Sequence, residues 1–589
     1  MPASALSPDV DPIRVSVLQR RLKAITEEMG LVLLRTSRSP ILNEARDFVT
    51  GLYNASGQML EQTEYIPVLA FALQPVCERI LTCFGDEIYP GDIFLHNDVF
   101  SEGNQNNDVA VFKPIFVDKQ LVAWAACKGH QADIGGSVAG GYNPEAREVW
   151  QEAFRIPPLK IYEKGQRRDD VWNLIFANIR LKVVEEDITA QIGSCVVGER
   201  AVQKLIQRDG LDSFHAHTSA LFAATERMVR AEIAVIPNGV YRASSRAFFD
   251  GVTDGSTMEI KLTVTVTDER ICFDFSGSSP QTPGFVNAPR TATASAVILT
   301  FLMLINPEIP HNKGLLQPIQ IINPEGSFLN AAYPAATTFG NSLTGPTSDA
   351  ILRALAQAIP ERVSAGWNRM LGVTITGDDP TNEGQRFVDI MFLALKGGSG
   401  ATFDTDGYDH IGLINCAGGI LAQDYEMLEL QSPHLLQKHE YLTDSAGAGR
   451  QRGGLGVQTE IVLGGDNLTA VVFGDGTETE ARAFGLDGGT AGTHNQLAFE
   501  QPDGYQLCPK TKEIIRNLPA GTVYRQSAGG GGGYGSPLER TPEIVLEEVM
   551  NGVISPQAAR MDYGVACDAN QQSIDYGGTG RWRRPGKHA

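Results

Sequence analysis

The 589-residue chain lacks the marks of several large functional classes. Positive charge is short: Lys and Arg number 49 against 69 Asp and Glu, a formal net charge of −20. Nucleic-acid affinity is supplied by clustered Lys and Arg, so no nucleic-acid partner is expected. No GxxxxGK[ST] loop is present, and the glycine run 529–535 leads into Pro537 rather than into a helix. Its glycines are read as tight turns and close backbone packing, not as a phosphate cradle. The eight cysteines (77, 83, 127, 195, 272, 416, 508 and 567) include no CxxC pair. That spacing gives neither a zinc ribbon nor a disulfide framework, fits a reducing cytoplasm, and makes most of them small buried hydrophobes. Met1–Pro12 has no basic segment followed by an apolar one, as a secretory signal would. The most apolar window, Ala294–Ile305, is too short to span a bilayer, so a buried core helix and no membrane partner are expected.

What is present is enough apolar residue, 42%, to fill real cores, together with 62 glycines. At roughly 150 residues per domain the length allows about four domains. Steps of three and four among Val17, Leu18, Leu22, Ile25, Met29 and Val32 predict a long amphipathic helix after Pro12. Strands are expected at 47–57, 89–96, 109–117 and 121–127. Between the second and third lies Asn97–Asp108, a loop too rich in amides to be core. A helical region is expected from 171 to 236, a hairpin from 258–268 and 271–275, and helices near 294 and over 348–358. Strands separated by glycine clusters follow, then a helix with Thr541 as N-cap and Pro542 at its first position. The fold class is therefore α+β, multidomain and mixed, with helices weighted to the N-terminal half and a β-rich C-terminal half. Three parts are drawn, 1–240, 241–395 and 396–589, within what is expected to be one integrated unit.

Three polar clusters stand at strand ends: Asp47, the 105–108 loop, and His130 with Asp133. Asp and His suit zinc or manganese, and three ligands with an open position could activate water. From the residues alone, a turn-capping Asp47 and a satisfied polar His130 are the commoner arrangement.

The motifs Ala45-Arg-Asp-Phe48, Pro90-Gly-Asp-Ile-Phe-Leu-His-Asn-Asp98, Gly129-His-Gln-Ala-Asp-Ile-Gly-Gly136 and Gln151–Lys160 then add up. Ala177–Arg180, Asp274–Gly277, Pro310–Gly314, Phe339-Gly-Asn341, Asp444–Gly456 and Gly530–Arg540 continue them in order. Together they resemble the hydantoinase B/oxoprolinase family nearly end to end. The resemblance implies a heteromeric complex with a hydantoinase A-type ATPase subunit, which binds ATP with Mg and activates the substrate. It also implies a metal set falling on Asp47, Gln105, Asp108 and His130, with Gln105 standing where a His is usual. A Gln carbonyl is a weak zinc donor. Either Asp47, Asp108 and His130 hold zinc or manganese without it, or no metal binds and the four act as acid, base and hydrogen-bonding groups; the second is preferred.

Within the family, the favoured reading is the non-ATPase subunit of an aromatic-ketone (acetophenone-type) carboxylase, a ligase forming a 3-oxo acid from ketone, bicarbonate and ATP. The alternatives are the B-type subunit of an ATP-dependent hydantoinase, oxoprolinase or lactamase hydrolysing a cyclic amide, and a scaffold subunit without catalytic residues of its own. Glu152 and Arg155 are expected to form an ion pair bracing Pro157-Pro158. Asn178 and Arg180 are expected to brace as well, and His96 to support a ligand rather than be one.

Overall fold

The computed structural model describes residues 10–568, 570 and 573–582. The segment that bears on a secretory signal therefore falls largely outside the described residues. With 33% helix and 25% strand, the chain has the expected mixed helix-and-sheet architecture. Its backbone divides into two compact units, 1–242 with 261–344 and 243–260 with 345–589. The chain leaves the first unit after Arg242, returns at Lys261 and leaves again after Thr344.

In the first unit, helix α1 (Pro12–Thr36) starts where Asp11 accepts a hydrogen bond from the Ile13 amide and Pro12 presets the helical φ. A short helix, α2 (Pro40–Asn43), leads into a seven-stranded antiparallel sheet of order β2-β1-β5-β4-β3-β6-β7. These are β1 (Phe48–Asn54), β2 (Met59–Glu64), β3 (Ile93–His96), β4 (Asp108–Val117), β5 (Gln120–His130), β6 (Leu159–Glu163) and β7 (Gln166–Arg167). Between β2 and β3 run α3 (Pro67–Ala70) and α4 (Leu73–Phe84). The stretch 67–84 is apolar and long enough to pass for a membrane span, but it is two helices and half of it is buried in the protein.

The expected continuous helical region is three helices, α5 (Asp169–Phe176), α6 (Val183–Asp209) and α7 (Leu211–Ala234). The last two are separated by Gly210 at φ +84°. Helix α6 joins α1 over one face of the sheet. Leu18, Leu22, Met29 and Leu33 of α1 and Ile188, Cys195 and Val202 of α6 pack there with Phe48, Leu52, Val109, Val111, Ala125 and Cys127. Successive side chains alternate across a strand. The register Asp108↔His130, Ala110↔Lys128 and His96↔Ala110 therefore puts Asp108, Lys128, His130 and His96 together on the opposite face. The apolar window near Ala294 is helix α8 (Arg290–Leu302), mostly buried, as expected. The segment 263–267 pairs antiparallel with 270–274, the predicted hairpin.

The second unit carries a four-stranded sheet and a five-stranded sheet. The first is ordered 385–390, 371–379, 466–474, 512–518 and the second 435–441, 457–462, 523–527, 496–500, 506–507. Ile375, Leu393, Ile461, Val472, Phe499 and Tyr524 belong to a shared apolar core. The glycine clusters pack backbone on backbone: a Cβ on Gly531 would overlap the Ser399 carbonyl, and one on Gly453 the Gly531 carbonyl. The helix Pro542–Met550 has Thr541 at its N-cap and Pro542 first, although the Thr541 side chain makes no cap hydrogen bond. None of the eight cysteines is bridged, and half of them (77, 127, 195 and 416) rather than most are buried.

Candidate functional site

The site is assembled by three neighbouring strand ends in the first unit. Asp47 directly precedes β1, His130 ends β5 and Asp108 opens β4; the His130 amide donates to the Asp47 carbonyl at 3.0 Å. Across the β4–β5 pair, His130 Nδ1 donates to Asp108 Oδ1 at 2.9 Å. The Tyr142 ring lies nearly parallel to the imidazole, 6.2 Å between centroids.

The amide-rich loop is buried, contrary to expectation: Asn104, Gln105, Asn106 and Asn107 are all at most 1% exposed. Buried amides persist where hydrogen bonds replace water. Asn97 Nδ2 donates to the Asn106 and Phe154 carbonyls, and Asn107 Nδ2 to the Gly140 carbonyl. Gly103 permits the tight return, since a Cβ there would stand 2.8 Å from the Asp98 carbonyl oxygen. Asn341, in the quoted Phe339-Gly-Asn341 motif, donates through Nδ2 to Gln105 Oε1 at 2.6 Å and to Asp108 Oδ2 at 2.9 Å. Asn104 Nδ2 also donates to Asp108 Oδ2, at 2.6 Å.

Several polar atoms of this cluster have no partner. Asp47 Oδ1, Gln105 Nε2, both side-chain atoms of Asn106 and Asn107 Oδ1 are covered and unbonded. An unsatisfied buried polar atom costs about 1–3 kcal/mol, so the loop holds donors and acceptors in reserve.

Lys128, not among the residues expected at the site, supplies a buried cation, its Nζ donating to Asn104 Oδ1 at 2.7 Å. Burial lowers its pKa to about 8, with Asp108 acting against the shift. Burial lifts Asp47 to about 6 despite the opposing charge of His130. For His130, burial disfavours the imidazolium, but the Asp108 hydrogen bond and the charges of Asp47 and Asp108 outweigh it and raise the pKa. Burial and Lys128 hold His96 neutral, down to about 3, with its Nε2 3.2 Å from Ser101 Oγ.

The cluster does not fit a divalent metal. Asp108 spends one oxygen on His130 and the other on two amides, Gln105 Oε1 is held by Asn341, and the Lys128 ammonium adds positive charge beside them. Among the described residues no three His, Cys, Asp or Glu side chains gather as ligands.

Asp133 does not join the site. It accepts from Arg180 Nη1 at 2.9 Å and from the Arg180 amide, so Arg180 braces it, and Asn178 Nδ2 caps the Leu174 carbonyl. The expected Glu152–Arg155 pair is absent. Glu152 accepts the Thr337 and Thr338 amides at 2.9 and 2.7 Å, fixing the segment that carries Asn341, while Arg155 pairs with Asp98. The two residues sit three apart in an irregular stretch, where sequence distance does not give facing directions.

Lys128 had a legible signal, an inward position in the alternation Trp124, Ala126, Lys128, His130; Asn104 and Asn341 had only their motifs.

The family model described as hydantoinase B/oxoprolinase matches residues 11–537. The caprolactamase beta subunit of Pseudomonas jessenii is 35% identical over 580 residues, 96% of this chain and 97% of that one. The B-type subunit of a putative D-/L-hydantoinase from Pseudomonas sp. (strain NS671) is 29% identical over 98% of each chain. The crystal structure of the ATP-dependent caprolactamase of Pseudomonas jessenii superposes with a TM-score of 0.91 at 34% identity, covering 98% of this chain and 100% of that one. The nucleotide-free structure of acetone carboxylase gives 0.87 at 20% identity over 97% and 82%, a shared fold.

Proposed function

This chain belongs to the hydantoinase B/oxoprolinase family, and on that premise we propose that it is the B-type subunit of an ATP-dependent enzyme that opens a cyclic amide. The observation that carries the reading is the row Asp47–His130–Asp108 beside a buried loop with unbonded amide donors and acceptors. A cyclic amide presents a carbonyl acceptor and an N–H donor on one edge, which Gln105 Nε2 and the Asn106 amide complement. Similarity to caprolactamase and hydantoinase subunits supports the same class.

A hydantoinase A-type partner binds ATP with Mg and phosphorylates the amide oxygen. In the site on this chain, Asp47 takes a proton from water as the water adds to the activated carbon. The ring C–N bond then breaks as His130, held by Asp108, gives a proton to the leaving nitrogen, and a second water hydrolyses the acyl phosphate so formed to the carboxylate and inorganic phosphate. Asp47, Gln105, Asp108 and His130 are thus the working groups, with Lys128 balancing the carboxylates.

The aromatic-ketone carboxylase expected from the sequence remains the second reading. The poor fit to a metal favours it, because removing a ketone α-proton needs a base and hydrogen-bond donors rather than a metal-activated water. The test is the chain assembled with its ATPase partner, supplied with ATP and a lactam, a hydantoin, or an aryl ketone with labelled bicarbonate. Ring opening supports the amide reading; label fixed into product overturns it for the carboxylase. Unchanged turnover after Asp47→Ala, Asp108→Ala and His130→Ala leaves only a scaffold role.

A further inference from the structure

Lys396 of the second unit is only 6% exposed, and its ammonium has neither a hydrogen bond nor a carboxylate partner among the described residues. Its stem packs along Gly412, at φ +118°, where a Cβ would stand 3.5 Å from Lys396 Cε and 3.2 Å from Ile420 Cγ2. A lysine with a buried stem and no counter-ion leaves its charge available to an incoming anion.

The Gly397–Gly412 bridge, with the Gly412 amide donating to the Gly397 carbonyl at 3.4 Å, sets the segment that carries His410 beside Lys396. The His410 and His439 rings meet edge to face at 4.9 Å, and His410 Nε2 is covered and without a partner. His439 Nδ1 lies 2.9 Å from Thr459 Oγ1, its register partner on the neighbouring strand, and the half-exposed Tyr425 ring lies 5.6 Å from the His439 ring. Asp409, beside His410 in sequence, is committed to Arg452 and to the Leu455 amide. Burial and repulsion by Lys396 keep both histidines below their usual pKa, with the Leu393 backbone acting the other way on His410. An anion seated among these groups would reverse the balance, drawing a proton onto His410 and making its Nε2 a donor.

We propose that Lys396, His410 and His439 form a second ligand site, one that binds a small oxyanion group, a carboxylate or a phosphate, with Tyr425 at its rim. The ammonium supplies the charge, and His410 Nε2 supplies a donor with no other acceptor. Charge-assisted hydrogen bonds of this kind are the strong ones. The site stands in the second unit, draws on none of the Asp47–His130 residues, and does not depend on the reaction proposed above.

The experiment is calorimetric titration of the full chain with inorganic phosphate and, separately, with acetate, at constant ionic strength set by chloride. One saturable site per chain is expected, weakened at least tenfold in Lys396→Met and several-fold in His410→Gln, with far-ultraviolet circular dichroism unchanged. Saturation by phosphate alone assigns a phosphate ligand, by acetate alone a carboxylate, and by both a general oxyanion site. A titration of the unmutated chain followed by histidine Cε1–H resonances guards against a variant that fails to fold, since the His410 and His439 signals should shift with the same saturation. No saturable binding of either anion, wild-type affinity in Lys396→Met, or unmoved histidine signals would overturn the proposal.

Discussion

His130 Nδ1 stands 2.9 Å from Asp108 Oδ1, and the two residues are register partners at the open end of the β4–β5 ladder. The ladder fixes both backbones, and Asn104 and Asn341 hold the other Asp108 oxygen, so the imidazole is held in one tautomer with Nδ1 protonated and Nε2 left for a substrate. Sheet register, rather than loop flexibility, sets this geometry.

Asp108→Asn keeps the shape and removes the charge that supports the imidazolium. A drop in kcat of about 10²- to 10⁴-fold is expected, by analogy with orienting carboxylates elsewhere, with KM little changed. The loss of activity at high pH should begin at a lower pH than in wild type, because burial then acts on His130 with less opposition. Steady-state pH profiles of the assembled enzyme check both; an unmoved alkaline limb would mean that His130 does not act as the acid.

Asp47 has a folded-state pKa of about 6, above its ordinary 3.8. As a base it works only when ionised, so activity should fall as pH drops through about 6. The stability sign is opposite. A raised pKa favours folding while the group is protonated, an advantage present at low pH and lost as pH rises through about 6. Asp47→Asn should therefore be inactive yet more stable than wild type at pH 8, by about 2 kcal/mol after allowance for its partial exposure, and no more stable at pH 4. Denaturant titrations at the two pH values measure the crossover.

Much of this was readable in advance, for physical reasons that differ by element. Helix α1 announces itself through its apolar period and Pro12, and β4 and β5 through β-branched and aromatic runs, since burial of one face writes its period into the chain. Asp47 and His130 were legible as candidates because motifs place them at strand ends, and Asp108 because its polar loop runs into a strand. The burial of Asn104–Asn107 was not, because amides look solvent-loving until their partners, Asn341 from 233 residues beyond Asp108 among them, are known. Long-range polar pairing leaves no local period, which is also why Glu152 was matched with Arg155 rather than with Thr337 and Thr338.

The metal question turns on Gln105 and Lys128 together. Zinc titration of the purified chain should end well below one ion per chain. Gln105→His alone should change this little, because the Lys128 ammonium and the committed oxygens of Asp108 remain. Combining Gln105→His with Lys128→Met should raise zinc affinity at least about tenfold, the scale on which neighbouring groups tune a metal site. Stoichiometric zinc or manganese in the unmutated protein, measured by elemental analysis, would contradict this account of the donor set.

Two glycine substitutions separate packing from propensity. Gly193 lies in α6 with open space around its Cβ position and an ordinary helical φ, so Gly193→Ala should stabilise the first unit by about 0.5–1 kcal/mol through helix propensity. Gly531 has no such room: a methyl group would overlap the Ser399 carbonyl, where backbone rather than a flexible side chain must yield. Gly531→Ala should cost about 3 kcal/mol or more, since overpacking against a fixed backbone has no inexpensive relaxation. Thermal melts of the two variants should move in opposite directions. A Gly531→Ala protein that melted like wild type but lost ATP-dependent turnover would return the glycine run to the role of a phosphate cradle; a lowered melting point with turnover surviving in the folded fraction places it in the packing of the second unit.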